Sequence, residues 1–127
     1  MEKIAIVDDD SAILEVFSQI LSVFGYQPCP YNNPLEALSR IPQEKPQTAL
    51  ILLDMMMVPI TGLQFLDERR KSPTLKSIPV IILSAWDLPE KDRKHFGSEV
   101  AGVIKKPVLA KDLADKIRIE LNRKGLC

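Results

Sequence analysis

Four places along the chain carry side chains that could do chemistry together. Asp8-Asp9-Asp10 follows a short apolar run, Asp54 ends ALILLD, Ser84 ends PVIILS, and Lys105-Lys106-Pro107 follows Val100–Ile104. Carboxylates brought close repel one another, and a hard divalent cation such as Mg²⁺, held by one or two of them plus a substrate phosphate, relieves the repulsion. A lysine offers a point charge to a phosphoryl group, and a hydroxyl can donate to the same oxygens. An aspartate can itself be the nucleophile and form an aspartyl phosphate. In-line phosphoryl transfer needs mainly positioning and charge neutralisation, and this set supplies both. Asp54 is the one charge in the twelve residues ALILLDMMMVPI. Burying it alone is expensive, so it is expected at a strand exit where other groups offset its charge.

The segments that must position these residues alternate between short apolar runs and longer amphipathic ones. Ile4–Val7, Thr48–Leu53, Pro79–Leu83 and Val100–Ile104 read as strands. Tyr26–Tyr31 reads as a weaker one, placed at an edge because Pro28 and Pro30 each remove a ladder donor. Helical spacing marks Ser11–Phe24, closed by Gly25, then Asn33–Ile41 with Pro34 in its first turn, and Gly62–Arg70 presenting Leu63 and Leu66. A polar helix is expected over Pro89–Phe96. A closing helix over about 108–123 carries Leu113, Ile117 and Leu121, supported by an Asp112–Lys116 pair, with a short tail at 124–127. Strands apolar on both faces, alternating with helices, imply a parallel sheet covered on both sides. Ligands of such sheets bind beyond the carboxyl ends of the strands, where the four polar places lie.

Bulk properties limit the rest. The 127 residues suit a single domain over 1–127 with a core of its own. Lys+Arg and Asp+Glu are both 17, so the net charge is zero. That balance argues against direct nucleic-acid binding, which draws on a basic surface. Cys29 and Cys127 form neither a disulfide framework nor a CxxC metal site, which favours a reducing compartment. The opening MEKIAIVDDD lacks the apolar core of a signal peptide, and Asp54 and Pro59 break the longest apolar run well short of a membrane span. The expectation is a cytoplasmic protein.

With those residues in view, the chain resembles a response-regulator receiver domain, the CheY-like family of two-component signalling. The match rests on Val7-Asp8-Asp9, on Asp54 after LILL, on Gly62 eight residues later, on Ser84-Ala85 after VIIL, and on Lys106-Pro107. The resemblance implies a doubly wound (βα)5 flavodoxin-like fold, an α/β architecture with strand order 2-1-3-4-5. It also implies a phosphorylation-dependent switch with Mg²⁺ as cofactor and no separate substrate. Asp54 would accept a phosphoryl group from a histidine kinase or histidine phosphotransfer protein. Asp9 would ligate the metal directly and Asp8 largely through water, with Asp54 and the Met56 carbonyl completing the protein's share. Lys106 would pair with the phosphate, and Ser84 would bind it and shift on activation. The Pro89–Phe96 helix, the Val100–Ile104 strand and the last helix would form the face for an output protein. With only a short tail after the last helix, the expectation is that the chain acts by protein contact or is a fragment of a longer regulator.

Departures from the family pattern are local. Val103 stands where the family usually has an aromatic switch residue, and the proline after Met57-Val58 comes one residue late. By the same resemblance, Met56 and Trp86 would occupy the two positions that tune dephosphorylation in the family; both are bulky and apolar, so slow loss of phosphate is expected. Two other readings compete. A non-enzymatic adaptor of the same fold would signal without phosphorylation, as Val103 allows. A haloacid-dehalogenase-like phosphatase would use Asp8 and Asp10 but would leave Asp54 unexplained. Asp10 is otherwise read as a helix-start acid, and His95 as a surface residue.

Overall fold

The computed structural model describes residues 1–84, 100–106 and 108–123. Five parallel strands, β1 (Lys3–Val7), β2 (Gln27–Tyr31), β3 (Leu50–Asp54), β4 (Val80–Ser84) and β5 (Val100–Lys105), form one sheet in the order β2-β1-β3-β4-β5. The doubly wound order expected from the sequence is therefore present. Every residue of β1, β3 and β4 is buried, the pattern of strands covered on both faces.

Alternation along the strands divides the apolar residues between two cores. Ala5, Val7, Ile51, Leu53, Val80 and Ile82 face one side, against Phe65 and Leu66 of α3 (Gly62–Arg69) and Ala37 of α2 (Pro34–Arg40). Ile4, Ile6, Leu50, Leu52, Ile81 and Leu83 face the other, against Leu14, Phe17 and Leu21 of α1 (Ser11–Val23) and Leu113, Ile117 and Leu121 of the final helix (Ala110–Arg123). A one-residue slip of any central strand would exchange its two faces, so both cores hold the register that places the strand ends.

Local signals fix the connections. Asp10 caps α1, its carboxylate accepting the Ala12 and Ile13 N–H groups. Gly25, at φ +87°, reverses the chain after α1, and the Gly25 and Tyr26 N–H groups donate to Ser22 and Leu21. Asn33 caps α2, and Thr61 caps α3 through a reciprocal bond with Gln64.

Several expectations are corrected. β3 runs one residue further, to Asp54, and β4 to Ser84, so both candidate side chains sit on the last rungs of the ladder. A short α4 (Pro73–Ser77), capped by Ser72, follows α3 and escaped the periodicity reading because five residues present no stripe. The final helix is α5. Its Lys116 pairs forward with the buried Glu120 at 3.0 Å, instead of backward with Asp112. Arg123 reaches the same Glu120 oxygen at 3.5 Å, so burial of the acid draws both cations to it. The Pro89–Phe96 segment, Trp86, His95, Pro107 and Cys127 lie outside the described residues.

β2 is an edge, as its prolines suggested. The Gln27 N–H donates to the Glu2 carbonyl, and the Tyr31 carbonyl accepts the Asp8 N–H. In a parallel pair this turns residues 27, 29 and 31 toward β1, so Pro28 and Pro30 hold the outward positions where an N–H would invite another strand. Replacing both (Pro28→Val with Pro30→Val) should preserve the fold but shift the protein toward larger, concentration-dependent species. Sedimentation velocity across a concentration series checks this, and a profile identical to wild type would remove the protective role.

Candidate functional site

The carboxyl ends of β1, β3, β4 and β5 meet at one edge of the sheet. Asp8 follows β1 and is 2% exposed, while Asp54 ends β3 at 7%. Asp8, Asp9 and Asp54 each place a carboxylate oxygen within 4.8 Å of the others. The Lys106 ammonium lies 3.1 Å from Asp54 Oδ1 and 3.6 Å from Asp8 Oδ2. Ser84 is buried at the end of β4, and its carbonyl accepts the Lys106 N–H at 2.7 Å. That backbone bond fixes the base of the lysine, so the ammonium reaches inward from a held anchor.

The electrostatics are unbalanced. Asp8 Oδ1 accepts the Asp10 N–H at 2.9 Å, but Asp8 Oδ2 is buried without a hydrogen-bond partner. Burial pushes the Asp8 carboxyl above the usual carboxylate range, and the neighbouring Asp54 and Asp9 charges push the same way. The Asp10 N–H and Lys106 oppose the shift without cancelling it. An orphaned buried carboxylate oxygen beside two more carboxylates is a donor set of hard oxygens, and a hard divalent cation fits it.

The acidic end also demands a close approach by α3. The Gly62 N–H donates to the Met55 carbonyl at 2.9 Å. A Cβ on Gly62 would stand 2.6 Å from the Asp54 carbonyl oxygen and 2.9 Å from Met55 Cα, both backbone atoms. Only glycine lets the helix start this near the acidic residue.

The structure brings some of the sequence-designated residues together and leaves others apart. Asp8, Asp9, Asp54 and Lys106 converge, with Ser84 tied to Lys106 through the backbone. Met56 lies in the loop after β3 and is 64% exposed, between the buried Met55 and Met57. Val103 lies on β5 and is partly exposed. Asp10 is engaged in capping α1, so its carboxylate is committed away from any acid–base role beside Asp8. Two features went unseen in the sequence. Asp9 Oδ2 accepts the Val58 N–H at 3.2 Å, a bond to backbone that no residue pattern announces. A groove of about 320 Å³ beside Lys106 is lined by Ala12, Ile13, Val16, Phe17 and Val108. Its signal was the apolar excess of α1 beyond its buried stripe.

Fold and site together define a doubly wound α/β domain with an acidic, lysine-bearing centre at its strand ends. The model of the response regulator receiver domain family matches residues 4–118. The chain belongs to that family. It is 32% identical over 97% of its length to a transcriptional regulatory protein CpxR homolog from Haemophilus influenzae. It is also 32% identical over 96% of its length to the phosphate regulon transcriptional regulatory protein PhoB from Pseudomonas aeruginosa. The match covers 52% of each, so the chain spans about half the length of these relatives. Among solved structures it is similar to a CheY-like receiver domain protein from Methanospirillum hungatei, with a TM-score of 0.85, 28% identity, and 98% and 97% of the two chains covered. A Francisella response regulator receiver domain gives a TM-score of 0.84 at 27% identity, covering 98% and 99%. Receiver domains are phosphorylation-based signalling switches, generally not enzymes, that work with histidine kinases and generally bind Mg²⁺ at an acidic pocket. Among the described residues no helix is long and apolar enough to cross a membrane.

Two substitutions test the packing and the charge balance. Gly62→Ala forces backbone apart at Asp54 and should cost about 2 kcal/mol of stability, read by urea denaturation. Asp8→Asn should have the opposite sign. A carboxyl whose folded pKa is raised binds its proton more tightly when folded, so stability falls as pH rises from the ordinary carboxylate pKa to the raised one. At pH 7, without divalent cations, Asp8→Asn should therefore raise the urea midpoint, and the gain should vanish below about pH 4. A lower midpoint for Asp8→Asn at pH 7 would show that the Lys106 contact outweighs burial.

Proposed function

We propose that this chain is a Mg²⁺-dependent receiver that takes a phosphoryl group onto Asp54 and signals by protein contact. The observation that carries the reading is the convergence of Asp8, Asp9 and Asp54 within 4.8 Å, with Lys106 bonded to Asp54. Asp8, Asp9, Asp54 and the Met56 carbonyl would hold the cation. Bound there, Mg²⁺ supplies charge neutralisation for the incoming phosphoryl oxygens.

The chain's own residues do the rest. β3 holds Asp54 rigidly at the end of a fully buried strand, so its carboxylate oxygen is presented to phosphorus without reorganisation. In the transfer the Asp54 O–P bond forms as the P–N bond to the donor histidine breaks. Lys106, already paired with Asp54 Oδ1, would move its charge onto the phosphoryl oxygens, and the Ser84 hydroxyl would donate to one of them. The donor is a histidine kinase or histidine phosphotransfer protein, and the apolar groove beside Lys106 offers it a resting surface. The output protein would meet the face of β5 and α5. With Val103 at the switch position, signal would pass through Ser84 and its backbone tie to Lys106 rather than through rotation of an aromatic ring.

Wild type incubated with Mg²⁺ and acetyl phosphate should gain one phosphoryl mass, labile to hydroxylamine. Asp54→Asn should gain none, and Lys106→Ala should accumulate at least tenfold less. Bulky Met56 at the exposed mouth predicts that the acyl phosphate survives for minutes rather than seconds after donor removal. Equal labelling of Asp54→Asn, or label mapped to Asp8, would overturn the assignment.

A further inference from the structure

The loop between β3 and α3 is held at two points. At its base the Gly62 N–H closes onto the Met55 carbonyl at 2.9 Å. Farther out, the Val58 N–H donates to Asp9 Oδ2 at 3.2 Å, across 49 residues of sequence. Between and beside these points the loop presents Met56 and Val58, which are 64% and 69% exposed, while Met55 and Met57 anchor it in the core.

A carboxylate has two oxygens. With Oδ2 engaged by Val58, Asp9 has Oδ1 to offer to a cation shared with Asp8 and Asp54. We propose that Asp9 is a positioning residue for this loop as well as a cation ligand. Cation binding and the placement of the Met56–Pro59 segment are then coupled through its one carboxylate. A cation that fixes the orientation of Asp9 fixes the acceptor for Val58, and the segment carrying the Met56 carbonyl and the exposed Met56 and Val58 side chains is ordered with it. By linkage, holding the loop favours the cation to the same degree. The apolar surface at the mouth of the site is therefore set by the cation before any phosphoryl group arrives.

This rests on the cation site proposed above, and the test separates the two. Amide hydrogen exchange and amide chemical shifts at Val58 are followed in wild type, Asp9→Asn and Asp9→Ala, without and with Mg²⁺. Hydrogen bonds to a charged acceptor stabilise strongly enough that Val58 should exchange roughly tenfold more slowly in wild type than in Asp9→Ala. Mg²⁺ should slow it further in wild type and shift its resonance. Asp9→Asn keeps an acceptor oxygen for Val58 but offers the cation a weaker ligand. It should therefore retain most of the protection while losing about tenfold in Mg²⁺ affinity. Equal exchange in wild type and Asp9→Ala would overturn the tether. Mg²⁺ shifts at Asp54 with none at Val58 would overturn the coupling alone, and shifts at neither would overturn the cation site as well.

Discussion

Three carboxylates are held together at the end of a buried sheet with one ammonium among them, and the remaining structure follows from that concentration of charge. Lys106 answers Asp54 directly at 3.1 Å and Asp8 less closely at 3.6 Å, which leaves Asp8 Oδ2 buried and without a hydrogen bond. An arrangement this unfavourable persists only where the scaffold over-determines it. The scaffold here is β1, β3 and β4, fully buried on both faces and locked in register by two separate cores. The strands cannot relax apart without exposing Ile4, Leu52 or Phe65, so the charges stay where the ladder puts them.

The same constraint shapes the connections. α3 begins so close to Asp54 that no side chain fits at Gly62. Lys106 is anchored by its own N–H to Ser84, so the two strand ends that flank the acids move as a unit. Other buried charges among the described residues meet partners close by. Lys3 meets Glu44 at 3.2 Å, and Tyr31 donates its hydroxyl to the other Glu44 oxygen at 2.9 Å. Arg69 donates to the Lys76 and Ile78 carbonyls at 3.1 and 2.7 Å, tying α3 to the far end of α4. Each of these cations meets acceptors of its own, whereas at the strand ends three carboxylates share the single Lys106 ammonium.

What was legible in the sequence is what the central strands dictate. An apolar run ended by Asp8, Asp54 or Ser84 can be placed because burial on both faces leaves no other assignment, and the doubly wound topology then brings the ends together. Asp10 was legible as a helix-start acid because capping is local. The features that escaped reading depend on distant chain. Lys116 turned to Glu120 rather than Asp112 because burial of Glu120 raises the need for a cation, and burial is a tertiary property. Arg69 reads as one of many surface arginines until Lys76 and Ile78 are brought beneath it. The Asp9–Val58 bond has a backbone donor, to which residue type gives no clue.

Charge balance also orders the steps this site can take. Three carboxylates against one lysine leave an excess of negative charge at the point where a phosphoryl donor, itself an anion, must approach. Raising the Asp8 pKa relieves some of the excess but also makes the ionised form costly. A divalent cation would offset the remainder, turning a repulsive mouth into a neutral one, so on the proposed reading cation binding would precede transfer. Once Asp54 carried phosphate, Lys106 would have a stronger partner than the bare carboxylate. The Lys106–Ser84 backbone tie would then carry the pull into β4. The acidic excess that looks like a defect of the folded state would thus make the domain responsive, because cation and phosphoryl group would each change a balance that the scaffold holds short of neutral.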